Sequence, residues 1–273
     1  MLEHSQNNQA IPMFVINLKK EATRRAHMQT QAEALGLELI FIDAVYGKDL
    51  PQKDFDNICN HEKSQNILNR RLLRGEVGVA LSQMSVYQKM LDENIQEAII
   101  FEDDVNIDSS IIEVMQSTTK FPSDWELVLL GYYKHSTSNK LQYISRRKNQ
   151  RISKNFKIVR FTTQMDGAHG YMINLRGAKR LLKTLKKGIV EPLDHYTGGE
   201  KHINVYGISP QCVTVDADLL NLSSIDKERK NTKNNSNLAL SSTLKQKVYR
   251  YRKNYQRKLL HFIMSLKTPK QYR

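Results

Sequence analysis

The chain opens with an alternation that few folds accept. Pro12-Met-Phe-Val-Ile-Asn17 is a short apolar run of strand formers. Ala22 to Leu35 reads as a helix stopped by Gly36, and Leu37 to Asp43 reads as a second strand. Strand, helix, strand is the βαβ unit, whose crossover makes the two strands parallel. A parallel pair must be covered on both faces, so the class is α/β with a mostly parallel central sheet.

The rest of the chain extends this pattern. Residues 48–74 are polar and irregular, with a basic cluster at Arg70, Arg71 and Arg74. Gly75-Glu-Val-Gly78 opens a helix with Val77, Leu81, Met84 and Leu91 on one face. Ala98-Ile-Ile-Phe101 is a buried strand that runs into Glu102-Asp103-Asp104. Trp125 to Leu130, Lys157 to Thr162 and Ala168 to Ile173 are further strands, and the basic stretch 134–157 is a surface loop or hairpin. A helix from Arg176 to Lys187 precedes Pro192-Leu-Asp-His195, and Val205 and Gln211 to Val215 are short closing strands.

At 273 residues and 40% hydrophobic, the chain has material for a sizeable core. No apolar run approaches the roughly 18 residues of a spanning helix. Met1 to Ala10 is too polar for a secretory signal. Cys59 and Cys212 fit buried thiols of a reducing compartment, and no zinc spacing is present. Net charge is +14, but residues 227–273 hold 14 of the 42 basic residues and only one acid, Glu228. The first 226 residues are therefore nearly neutral. Nucleic-acid binding would need the charge spread over a folded face, so no nucleic-acid partner is expected.

Glu102-Asp103-Asp104 ends a strand, at the edge where open α/β sheets bind ligands. Three adjacent carboxylates repel, and a hard cation such as Mg²⁺ or Mn²⁺ would hold them together and suit a diphosphate. By itself the triplet could equally be a solvated turn.

Six motifs follow one another in order. They are Ile16-Asn17-Leu18 with Arg24-Arg25; Ala44-Val45-Tyr46-Gly47; Gly75-Glu76-Val77-Gly78 with Leu81-Ser82; Phe101-Glu102-Asp103-Asp104; Gly167-Ala168-His169-Gly170-Tyr171 with Gly177-Ala178; and Pro192-Leu193-Asp194-His195. Over about residues 12–225 the chain resembles glycosyltransferase family 25, the lipooligosaccharide (LPS) biosynthesis transferases, whose nearest known activity is bacterial β-1,4-galactosyl transfer. It departs from the family at Gln83, often His there, at Val79, often Cys, and at Tyr46, often acidic.

The resemblance implies a GT-A-like, Rossmann-like fold, a nucleotide-sugar donor (UDP-galactose, with UDP-glucose as rival), Mn²⁺ or Mg²⁺, and inversion at the anomeric carbon. Carried over, Asp104 and Glu102 are the metal ligands. Glu102 also faces the donor ribose or a metal-bound water, and Asp103 shapes the turn or adds a ligand at the nucleotide-sugar site. Asn17 and Leu18 close the first strand where a uracil edge could bond, and Arg24 pairs with the diphosphate. Ser82 and Gln83 face the donor or form an ordinary buried polar helix face. Asp166 could hold the donor galactose, and His169 touches donor or metal or is a satisfied core residue; His195 and His202 are weaker metal candidates. Asp194 is the general base, or else a helix cap or turn residue, with Asp166 and Glu200 in reserve. Gly75-Glu-Val-Gly78 matches no phosphate-binding pattern.

In residues 227–273, Leu244, Val248, Tyr251, Tyr255, Leu259, Phe262 and Leu266 share one helical face, and basic residues mostly occupy the other. Such a helix suits an anionic inner-membrane surface or a protein neighbour. The expectation is a transferase domain over 1–226 and a basic amphipathic tail. The enzyme would be cytoplasmic and peripheral on the inner membrane of a Gram-negative bacterium. It would act on the 4-OH of Glc or GlcNAc in a lipid-linked oligosaccharide, with oligomeric state left open.

Overall fold

A computed structural model describes residues 11–134, 144–161, 164–199 and 202–220, together with Tyr255 and Leu259. The strands are β1 (Met13–Asn17), β2 (Leu39–Asp43), β3 (Glu97–Glu102), β4 (Val105–Ile107), β5 (Leu127–Leu129), β6 (Tyr133–Lys134), β7 (Ile144–Arg151), β8 (Lys157–Phe161), β9 (Met165–Asp166), β10 (Gly170–Asn174), β11 (Val205–Ser209) and β12 (Val213–Val215). The helices are α1 (Ala22–Leu35), α2 (Gln52–Ile58), α3 (His61–Leu68), α4 (Arg74–Asp92), α5 (Ile111–Met115), α6 (Leu175–Leu185), α7 (Asp194–Thr197) and α8 (Ala217–Leu220).

Eight strands form one sheet in the order β2-β1-β3-β10-β5-β11-β8-β7. The opening unit is as expected: β1 lies parallel to both β2 and β3. Beyond β3 the sheet is mixed rather than mostly parallel. β10 runs antiparallel between β3 and β5, and β7, β8 and β11 form antiparallel pairs. The β7–β8 pair is a hairpin, whose short connection over 152–156 cannot house a crossover helix.

Side chains alternate between two apolar layers along the strands. Phe14, Ile100, Tyr171 and Ile173 join α4 and α6 on one face. Met13, Val15, Ile99, Phe101 and Met172 join α1 and α5 on the other. Period-2 alternation with both faces buried is what a sandwiched central sheet requires. Cys59 and Cys212 are free and lie in opposite layers, so they do not pair.

Two local expectations change. Residues 48–74 hold α2 and α3, which polar composition concealed; Asn60 caps α3 by accepting from Lys63 N at 3.0 Å. The most buried line of α4 passes through Val77, Ala80, Gln83, Tyr87 and Met90, whereas Leu81, Met84 and Leu91 are only partly buried. Ala80 and Gln83, one small and one polar, interrupt that line, so an apolar stripe was a poor guide. The stretch 134–157 is in part the outer strand of the β7–β8 hairpin.

Candidate active site

β1 and β3 are parallel neighbours, so their carboxyl ends emerge together and bring Asn17 beside Glu102-Asp103-Asp104. Asn17 Nδ2 donates to Asp103 Oδ2 at 2.7 Å and to the Glu21 carbonyl at 3.3 Å. Arg24, on the first turn of α1, reaches back over the same edge. Its Nη1 donates to Asp103 Oδ1 at 2.7 Å and Asp104 Oδ2 at 3.1 Å, and its Nη2 to the Leu219 carbonyl at 2.9 Å.

Burial pushes the Asp104 carboxyl above the usual carboxylate range, with Asp103 adding to the shift and Arg24 opposing it. Burial alone would lower Arg24, but the bond to Asp103 and the charges of Asp104 and Asp103 outweigh it and raise the guanidinium. Arg24 therefore organises the acidic turn, with Nη1 and Nη2 both already engaged.

The turn opens on a cleft of about 160 Å³. Leu18, Arg24, Ser82, Gln83, Glu102, Asp103 and Asp104 all line it. Tyr46 also lines it, with Lys20 Nζ 3.3 Å from the ring centroid. Tyr46 belongs to one of the six motifs, whereas its contact with Lys20 was not anticipated. Arg25 stacks on Phe41 at 4.1 Å instead.

The glycine motif builds the cleft wall by close packing. A Cβ on Gly47 would fall 1.8 Å from the Arg74 carbonyl oxygen, and one on Gly78 would fall 2.6 Å from the Val45 carbonyl oxygen. Ser82 is spent on the same junction: its Oγ accepts from Val45 N at 2.8 Å and donates to the Gly78 carbonyl at 2.7 Å. Glu76 accepts from Leu73 N and pairs with Arg70, closing the start of α4.

Other predicted residues lie off the cleft. His169 is buried, and its carbonyl accepts from Glu102 N at 2.9 Å. Its ring lies 5.2 Å from that of Tyr133, and burial lowers its pKa to about 4, so it is neutral. It supports the acidic turn from behind. Asp166 sits in β9, with a buried Oδ1 that meets no partner. Asp194 begins α7, which packs on β9, so Asp166 and Asp194 share one neighbourhood. His195 Nδ1 is 2.7 Å from Glu191 Oε2, and His202 stacks on Tyr196. Glu200 lies outside the described residues, as does the tail apart from Tyr255 and Leu259, both helical and exposed.

Among the described residues no group of three His, Cys, Asp or Glu converges to hold a metal. The acidic turn nevertheless fits a hard cation in part. Asp104 Oδ1 is buried with no hydrogen-bond partner, and its neighbours supply oxygen donors of the right chemistry. Diphosphate oxygens would have to complete such a shell.

An acidic turn and a facing guanidinium thus border a cleft at the carboxyl edge of the α/β sheet. The profile of glycosyltransferase family 25 (LPS biosynthesis protein) matches residues 10–197, and the chain belongs to that family. It is similar to procollagen galactosyltransferase 1-A of Xenopus laevis, 28% identical over 196 residues, 67% of this chain and 30% of that one. Procollagen galactosyltransferase 2 of Mus musculus is 26% identical over 204 residues, 67% and 29% of the two chains. A Haemophilus influenzae protein named as a candidate glycosyltransferase is 28% identical over 193 residues, 69% and 61% of the two. The chain thus spans under a third of the procollagen enzymes' length.

Proposed function

We propose that this protein is an inverting, metal-dependent galactosyltransferase that moves galactose from UDP-galactose to a sugar hydroxyl of a lipid-linked oligosaccharide. The observation that carries it is the Asp103–Asp104 pair, held by Arg24 at the cleft with Asp104 Oδ1 unpartnered. Galactose is supported by the names of the eukaryotic relatives, and the lipid-linked acceptor by the family's description. The 4-OH of Glc or GlcNAc is the acceptor position this reading favours.

Glu102 and Asp104 would hold Mn²⁺ or Mg²⁺, which supplies positive charge where the diphosphate leaves. Asn17 fixes Asp103, and Asp103 with Asp104 fixes Arg24, so the site needs little reorganisation as charge develops. Asp194 takes the proton from the acceptor hydroxyl as the new bond forms. The apolar wall of Ile16, Leu18, Val45 and Val79 excludes water around the nucleotide.

Hydrolysis and transfer measured over a panel of nucleotide sugars with Mn²⁺ test this. UDP-galactose should lead, and Asp104→Asn should abolish the Mn²⁺ stimulation of UDP binding. Preference for UDP-glucose would overturn the sugar and leave the class. No turnover of any nucleotide sugar would overturn the class.

A further inference from the structure

Behind the cleft, three side chains form a hydrogen-bonded row. The hydroxyls of Tyr87 on α4 and Tyr171 on β10 are 2.6 Å apart, and Tyr171 in turn bonds Gln83 Oε1. Both tyrosines are fully buried and Gln83 is 1% exposed. Proton counting sets the direction of the row. Each phenol owns one proton, and the Tyr87 hydroxyl meets only Tyr171. Tyr87 therefore donates to Tyr171, and Tyr171 donates to Gln83. The reverse order would strand the Tyr87 proton in the apolar core.

Gln83 is thus pinned through its carbonyl oxygen, and its amide nitrogen is left as donor only. That Nε2 is buried with no partner, on a residue that lines the cleft. An acceptor carboxylate stands close by. Ile100 pairs across the sheet with Tyr171, and Glu102, two residues further on, lies on the same face and lines the same cleft. The charge of Glu102 is also felt at Tyr171.

A donor and a carboxylate acceptor lining one cleft select a group that both accepts and donates. Phosphate only accepts, so it would meet the Gln83 amide alone. A sugar hydroxyl satisfies both. We infer that Gln83 and Glu102 form a hydroxyl-recognition pair for a sugar of the donor, with Tyr171 the positioning residue that fixes the Gln83 amide. The inference rests on the nucleotide-sugar reading. It assigns a hydrogen-bond direction to Gln83 and a role to Tyr171.

The test is calorimetric binding of UDP and of UDP-galactose, with Mn²⁺, to the full chain and its variants, after thermal melts confirm folding. Gln83→Leu should bind about 3- to 10-fold more weakly, the loss of one buried hydrogen bond. Gln83→His should recover most of it, since a neutral imidazole accepts at one nitrogen and donates at the other. Tyr171→Phe should lose affinity in the wild-type background and nothing further in the Gln83→Leu background. If Gln83→Leu does not fold, Gln83→Met, closer in length, takes its place.

A loss shared by UDP and UDP-galactose assigns the ribose hydroxyl; a loss confined to UDP-galactose assigns the hexose hydroxyl. Wild-type affinity for both ligands in the Gln83 variant would overturn the inference and leave the proposed function standing. Additive losses for Tyr171→Phe and Gln83→Leu would overturn the positioning role. Failure of the wild-type protein to bind either ligand would overturn the donor reading and this inference with it.

Discussion

Replacing Arg24 with Met tests the electrostatic design of the acidic turn. Arg24 neutralises two consecutive carboxylates at 2.7 and 3.1 Å, and the three side chains are only 14%, 10% and 9% exposed. Methionine keeps the stem and removes the charge. Breaking a buried ion pair from one side costs about 3–5 kcal/mol. Because the site opens on a cleft that admits water, the lower end, about 3 kcal/mol, is expected at pH 7.5. The sign with pH follows from Asp104, already raised by burial and raised further once its cation is gone. A carboxyl with a raised folded-state pKa binds a proton more readily when folded, so stability falls as pH rises through that value. The deficit of the variant should therefore shrink on acidification. Urea denaturation of wild type and variant at pH 7.5 and pH 5 measures it. Adding Asp104→Asn to Arg24→Met should recover part of the loss, because the repulsion disappears. A deficit independent of pH and additive with Asp104→Asn would refute the reasoning.

Asp194→Asn should cut turnover strongly while UDP affinity stays near wild type, because the base acts on the acceptor; calorimetry beside a transfer assay checks both. His169 is held neutral with its pKa lowered to about 4 by burial, so its contribution to stability is present above its unfolded value of about 6.5 and is lost as pH falls below it. Between pH 7.5 and 5 that loss is about 2 kcal/mol, and denaturation of His169→Gln should lack it. Gly47→Ala should destabilise by about 2 kcal/mol or more, as its methyl would meet backbone 1.8 Å away, and a thermal melt reads this. Anionic vesicles at low salt should co-sediment the full chain but not a chain ending at Ser242, with binding weakened by salt.

Much of the fold could be read from periodicity. β1, α1, Gly36 and β2 lie where apolar runs and a left-handed stop placed them, Gly36 having φ 64°. The mixed sheet could not be read, because strand direction depends on connection geometry, and β8 to β10 look alike in either sense. α2 and α3 were hidden because their burial rests on few side chains, Phe55 among them. The acidic turn was legible through its place in an ordered set of family motifs, since by itself the triplet could have been a solvated turn. Its partners were legible only in type: Arg24, expected to meet a diphosphate, bonds Asp103, Asp104 and the Leu219 carbonyl. Ser82 was expected to face the donor or to form an ordinary buried polar helix face, and its hydroxyl serves the backbone of Val45. Tyr171 stood in a quoted motif, yet its bond to Gln83 joins residues 88 positions apart, and such a separation leaves no local trace.

The bond from Arg24 to the Leu219 carbonyl ties α8 to the acidic turn. Leu244, the first residue of the amphipathic stripe, follows Leu220 by 24 residues. At full extension 24 residues reach about 80 Å. That contour length is a ceiling whatever conformation the connection takes. If the stripe holds a surface, the cleft is leashed within that radius of its point of attachment. An acceptor confined to the surface then meets the site at an effective concentration set by tether length, independent of how tightly the site itself grips the acceptor.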